Sequence, residues 1–204
     1  MKVEDITLEY SRHFIGEKDG KEFARGLLEL EKDWVGKIST NTAVDQTLLL
    51  FQNLEKHATP QEKLNWRFQE GLYRAYYDAY IRARVIYETR LESEAIEVLK
   101  SAEKTGSLAS MDQAQKILDK ARTERVAPEL RARVFELAEA LFQSIHMQLS
   151  VPRYQAIAVN RGANLDDIDK PLNHSPNLKN RFDEIRGLDS ESERLGAINQ
   201  LIQP

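Results

Sequence analysis

The chain has 204 residues, with 29 Lys plus Arg against 33 Asp plus Glu, and no cysteine. A net charge of −4 lacks the bulk cationic field of a nucleic-acid binder, and the missing cysteine excludes disulfides, thiolate metal sites and a Cys nucleophile. With 41% hydrophobic residues the composition is that of a folded chain, long enough to bury a core without covalent staples.

The first residues, Met1 to Thr7, contain no apolar run of signal-peptide length, and no later run approaches the ~18 residues of a membrane span. The chain reads as soluble, without signal peptide or transmembrane segment and with no assigned compartment. Helical periodicity begins at Phe23, Leu27, Leu30, Trp34 and Ile38, widened by Leu28 and Val35. A second helix is predicted from Thr42, where Thr42 and Asp45 have capping-box spacing. Its buried stripe is Val44, Leu48, Phe51 and Leu54, and His57 lies in its last turn.

Thr59-Pro60-Gln61-Glu62 combines an N-cap, a first-position proline and a capping-box acid. No stop signal follows before Thr105-Gly106-Ser107, so one helix is predicted over about 60–104, with Gly71 its weak point. Leu64, Phe68, Leu72, Ala79, Ala83 and Ile86 form one apolar stripe. Trp66, Tyr73, Tyr77, Tyr80, Tyr87 and Leu91 form another. A helix apolar over so wide an arc is covered from several sides and serves as a spine.

Ser110 and Gln113 offer the next capping box, before Met111, Ala114, Leu118 and Ala121. Pro128 opens the cleanest stripe, which runs through Leu130, Val134, Leu137, Leu141, Ile145 and Leu149. The segment near 152–176 is loop-rich, with Gly, Asn, Asp and Pro concentrated over 161–176. Two short helices close the chain. The first starts at Ser175-Pro176, buries Leu178, Phe182 and Ile185 and stops at Gly187. The second is capped by Ser190 and Glu193 and buries Leu195, Ile198 and Ile202. No strand alternation or helical repeat is present. The expected fold is therefore all-α: a single helical domain over 1–204, with seven or eight helices around one long central helix.

Candidate chemistry is sparse. Asp166, Asp167 and Asp169, with Arg161 and His174 nearby, form a polar cluster on the loop. Three close carboxylates fall short of the six or more oxygens of a hard-cation site, so no metal is expected, and turn capping is the competing role. His13, His57, His146 and His174 lack the paired spacing of metal ligands. Arg74, Tyr77 and Arg84 stand for the Arg/Tyr set of the long helix, residue types enriched at interface hot spots. Ligand or partner binding is accordingly assigned to Arg74, Tyr77, Arg84, Arg161, Asp166, Asp167, Asp169 and His174.

No nucleophile elbow, phosphate loop, dinucleotide fingerprint or Glu-x-x-His di-iron motif occurs, so no catalytic residue and no cofactor is expected. The sequence leads to a non-catalytic helical interaction or accessory domain, on its own or within a larger polypeptide. Its expected partner is another protein or a neighbouring domain, with no nucleic acid and no membrane insertion. The competing expectation is a helical enzyme or small-ligand-binding protein, with its site between the long helix and the 161–176 loop. An exposed apolar patch favours the first, and a cleft of convergent Asp, Arg and Tyr favours the second.

Overall fold

The computed structural model describes residues 2–147 and 175–203, with backbone alone at 175–177 and 179. The fold is all-α, and no strand occurs among the described residues. Helices α1 (Val3–Phe14), α2 (Glu17–Lys32), α3 (Ala43–His57) and α4 (Pro60–Leu64) precede the long α5 (Trp66–Lys100). Then come α6 (Ala102–Thr105), α7 (Ser107–Thr123), α8 (Pro128–Ile145), α9 (Ser175–Arg186) and α10 (Glu191–Leu201). The seven helical segments read from the sequence thus become ten α-helices among the described residues. One addition is α1, and two come from breaks in the expected 60–104 helix.

The first break is at Asn65, whose backbone is extended. Its Oδ1 accepts from the Arg67 N–H at 3.0 Å, capping α5, while its Nδ2 donates to the Phe14 carbonyl at 2.6 Å. A side chain able to bond nearby backbone stops one helix and starts the next. The second break is at Ser101, with φ −87° and ψ 1°. Gly106 at φ 89° then turns the chain into α7. Accordingly α7 starts at Ser107 and not near Ser110. The Asn41 side chain overrules two further expectations. Its Nδ2 donates to the Lys32 and Asp33 carbonyls at 2.7 and 3.0 Å, ending α2, so Trp34 and Val35 are exposed and do not continue the stripe. Its Oδ1 accepts from Ala43 N–H at 2.9 Å, the capping role expected of Thr42.

Contacts divide the chain into two compact units. In the first, α1–α4 and α5 up to Ala83 join α8. Phe23 meets Phe51 edge-on at 6.0 Å and stacks on Phe68 at 5.8 Å. Gly71 lies against these rings: a Cβ there would stand 2.8 Å from Phe51 Cε1 and 3.1 Å from Phe23 Cε2. It is therefore a point of close helix approach. From α8 come the buried Val134, Leu137, Ala138 and Leu141. Glu55 of α3 ties the same unit together, accepting from Tyr76 Oη at 3.2 Å and pairing with Arg133.

The second unit holds α5 from Arg84 onward, α6, α7, α9 and α10. Ala95, Leu99 and Ala102 pack with Met111, Ala114 and Leu118 of α7, Phe182 and Ile185 of α9, and Ile198 of α10. The Glu191 carboxylate caps α7 across 84 residues of sequence, accepting from Ser107 N–H at 2.7 Å and from its hydroxyl at 2.6 Å. These hydrogen bonds to the charged form hold Glu191 below its usual titration range.

Burial along α5 changes with position. From Phe68 to Ile81 nearly every residue is buried, the wide coverage expected of a spine. Beyond that, burial narrows to one stripe of Arg84, Glu88, Leu91, Ala95 and Leu99. Leu64 and Ile86, both placed in a core stripe by periodicity, are exposed.

Candidate functional site

α1 leaves part of its apolar surface uncovered. Its small side, at Ser11, faces α2 so closely that a Cβ on Gly20 would stand 3.0 Å from the Arg12 Cα. Thr7 and Leu8 are half-buried on that same side, while Val3, Ile6, Tyr10 and Phe14 recur at spacings of three and four on the adjacent face, about a quarter turn away. Val3 is 64% exposed, Ile6 53%, Tyr10 38% and Phe14 36%. Phe14 is held in place by a tilted contact with Tyr10 at 4.9 Å and by the Arg67 guanidinium, 3.7 Å from its ring centroid.

Tyr10 also forms one wall of a groove of about 440 Å3 between α1, α2 and α5. Its apolar lining comes from Phe23, Leu27, Leu30 and Tyr73, and its charged lining from Arg67, Glu70 and Arg74. Arg67 is clamped between Phe14 and the Trp66 ring, 4.2 Å away. Its Nε is buried and has no hydrogen-bond partner among the described residues. Arg74 lies over Trp34 at 5.3 Å and gives only Nε to Asp78, at 3.0 Å. Burial pushes the Tyr73 phenol far above its ordinary value, with Tyr77 adding in the same direction, so it stays protonated.

Two buried carboxylates belong to the same unit. Asp33 accepts from Thr47 Oγ1 at 2.9 Å through Oδ1, while its Oδ2 has no partner among the described residues. Burial pushes its carboxyl up to about 6 against the opposing Thr47 hydrogen bond, and the charge of Asp78 adds to the rise. Asp78 is itself raised by burial, opposed by Arg74.

Of the residues singled out by sequence, Arg74 and Tyr77 come together in the first unit, with Tyr77 stacked on Tyr73 at 5.6 Å. Arg84 belongs to the second unit, where it is buried and donates to the equally buried Glu88 at 2.7 Å, a structural ion pair. Arg161, Asp166, Asp167, Asp169 and His174 lie outside the described residues. No cluster of three or more metal-ligating side chains occurs among the described residues. Within the described residues no helix is long and apolar enough to cross a membrane.

Sequence reading missed Tyr10, Leu27 and Leu30 as a wall; Arg67 belongs to the Arg/Tyr set of the long helix, but its clamp between Phe14 and Trp66 was not foreseen. The available signal was the spacing of Val3, Ile6, Tyr10 and Phe14, which marks an amphipathic helix before Phe23. Comparison of the chain with protein-family models, with curated proteins and with solved structures finds no match.

Proposed function

We propose that the chain is a non-catalytic interaction module that docks a protein partner on the outer face of α1. The observation that carries this reading is the second apolar face of α1: Ser11 and half-buried Leu8 pack inward, while Val3, Ile6, Tyr10 and Phe14 form an exposed stripe beside them. Fully burying a side chain of this size stabilises by about 1.5–3 kcal/mol; at their present exposures the four offer roughly half of that each, so contacts of the polar border must add to them in a stable complex. A contiguous apolar stripe with a polar border is the mark of such a surface. The pattern fits an amphipathic helix of the partner, with apolar residues at the same three-and-four spacing.

Site-directed photocrosslinking in the native host tests this. A crosslinker at Ile6 is expected to give a discrete adduct with one other chain. The adduct should be lost on Tyr10→Asp, and a crosslinker at the exposed Lys21 should not give it. Equal labelling from positions 6 and 21, or an adduct indifferent to Tyr10→Asp, refutes the proposal.

A further inference from the structure

We propose that the groove between α1, α2 and α5 binds a small apolar carboxylic acid. Its hydrocarbon body would rest on Phe23, Leu27, Leu30 and Tyr73, and its carboxylate between Arg67 and Arg74. This site goes beyond the partner-docking face of α1, with which it shares Tyr10 and Phe14.

The volume, about 440 Å3, is within the range of small-molecule sites, roughly 300–1,000 Å3. An apolar floor with a few convergent polar groups is the usual build of such a site. Here those groups are guanidiniums, whose planar fork matches a carboxylate with two parallel hydrogen bonds. Both are preorganised by aromatic rings: Arg67 by Phe14 and Trp66, Arg74 by Trp34. Preorganisation lowers the ordering entropy that a ligand must overcome. Arg67 Nε is buried without a partner among the described residues, so recognition by Arg67 falls to its terminal amino groups.

Charge selects the ligand further. The lining carries Arg67 and Arg74 against Glu70, a sum of +1, and Asp78 offsets part of Arg74 from behind. That suits a monoanion and disfavours a phosphate dianion. A neutral alcohol of equal length brings no charge and a single oxygen, so it cannot pair with both guanidiniums as a carboxylate does.

The chain reports on this site through its own fluorescence, because its two tryptophans, Trp34 and Trp66, are the residues stacked on the two arginines. Decanoate, held below its micellar concentration, is expected to change tryptophan emission saturably and to give a matching calorimetric isotherm. Decan-1-ol should bind at least about tenfold more weakly, the loss of a charge-assisted hydrogen-bond pair. Arg74→Gln and Arg67→Gln should each weaken decanoate by a similar factor. Ile6→Asp, outside the groove, should leave it unchanged. If Arg67→Gln fails to fold by circular dichroism, the exposed Arg74→Gln decides alone. No saturable response to decanoate, equal binding of decanol, or an Arg74→Gln protein that binds decanoate as the parent does overturns the proposal.

Discussion

Asp33→Asn tests the electrostatics of the first unit most directly. Asp33 is fully buried, its Oδ1 serves Thr47 and its Oδ2 has no partner among the described residues. Burial and the charge of Asp78, with a smaller contribution from Glu29, act against Thr47 and Arg74 to bring the carboxyl up to about 6 from 3.8. The folded state then holds its proton more tightly than the unfolded state does. The penalty of ionising it is absent below about pH 4, grows as pH rises, and is complete above about pH 6, where a difference of about two between the pKa values is worth about 3 kcal/mol. Asparagine keeps an oxygen for Thr47 and removes the charge. The variant is therefore expected to be more stable than the parent by about 1–3 kcal/mol at about pH 7.5, and that advantage should shrink by about 2 kcal/mol at about pH 4.5. Urea unfolding at the two pH values measures both quantities. An advantage that stays flat with pH, or that grows toward acid, refutes the argument.

Two packing predictions concern the same unit. Gly71→Ala raises helix propensity by about 1 kcal/mol, yet its Cβ would stand 2.8 Å from buried Phe51. Overpacking of about 1–3 kcal/mol should outweigh the gain, and a thermal melt that moves upward would sink this reading. Leu141→Ala removes a fully buried side chain on α8 and should cost about 2–5 kcal/mol in urea titration. A loss below about half a kcal/mol would show that α8 does not face the core.

Much of the architecture was legible because apolar spacing and capping signals agree. Phe51 and Leu54 on α3, Leu137 and Leu141 on α8, and Phe182 and Ile185 on α9 are buried as their periodicity requires. The Thr59–Glu62 and Ser190–Glu193 capping boxes close as their spacing predicts. What escaped was side-chain bonding over distances that spacing rules do not register. Asn65 reaches a carbonyl 51 residues away, and Glu191 caps a helix 84 residues away. Periodicity also reports which residues share a face, never whether that face meets a neighbour. Hence Leu64 and Ile86 were placed inside. The groove escaped for the same reason: Tyr10, Leu30 and Arg67 come together only by tertiary packing. Arg74 was visible as a residue type, but the ring that orients it belongs to a segment expected to be helical core.

Because α5 serves two separate cores, synthesis order matters for this chain. The aromatic stretch from Phe68 to Ile81 shares its compact unit with α8, which begins at Pro128. The tie from Glu55 to Arg133 closes over 78 residues. At ~5–20 residues per second, roughly fifty residues of translation separate Ile81 from Val134, so the α8 part of this core follows the α2 and α3 part by about 3–10 s. The second unit is delayed in turn, since its α7 cap arrives only with Glu191. Neither core can finish before the intervening chain has emerged. The interval before α8 is therefore one in which α5 rests on α2 and α3 with its first core half built, the kind of intermediate that is prone to aggregate.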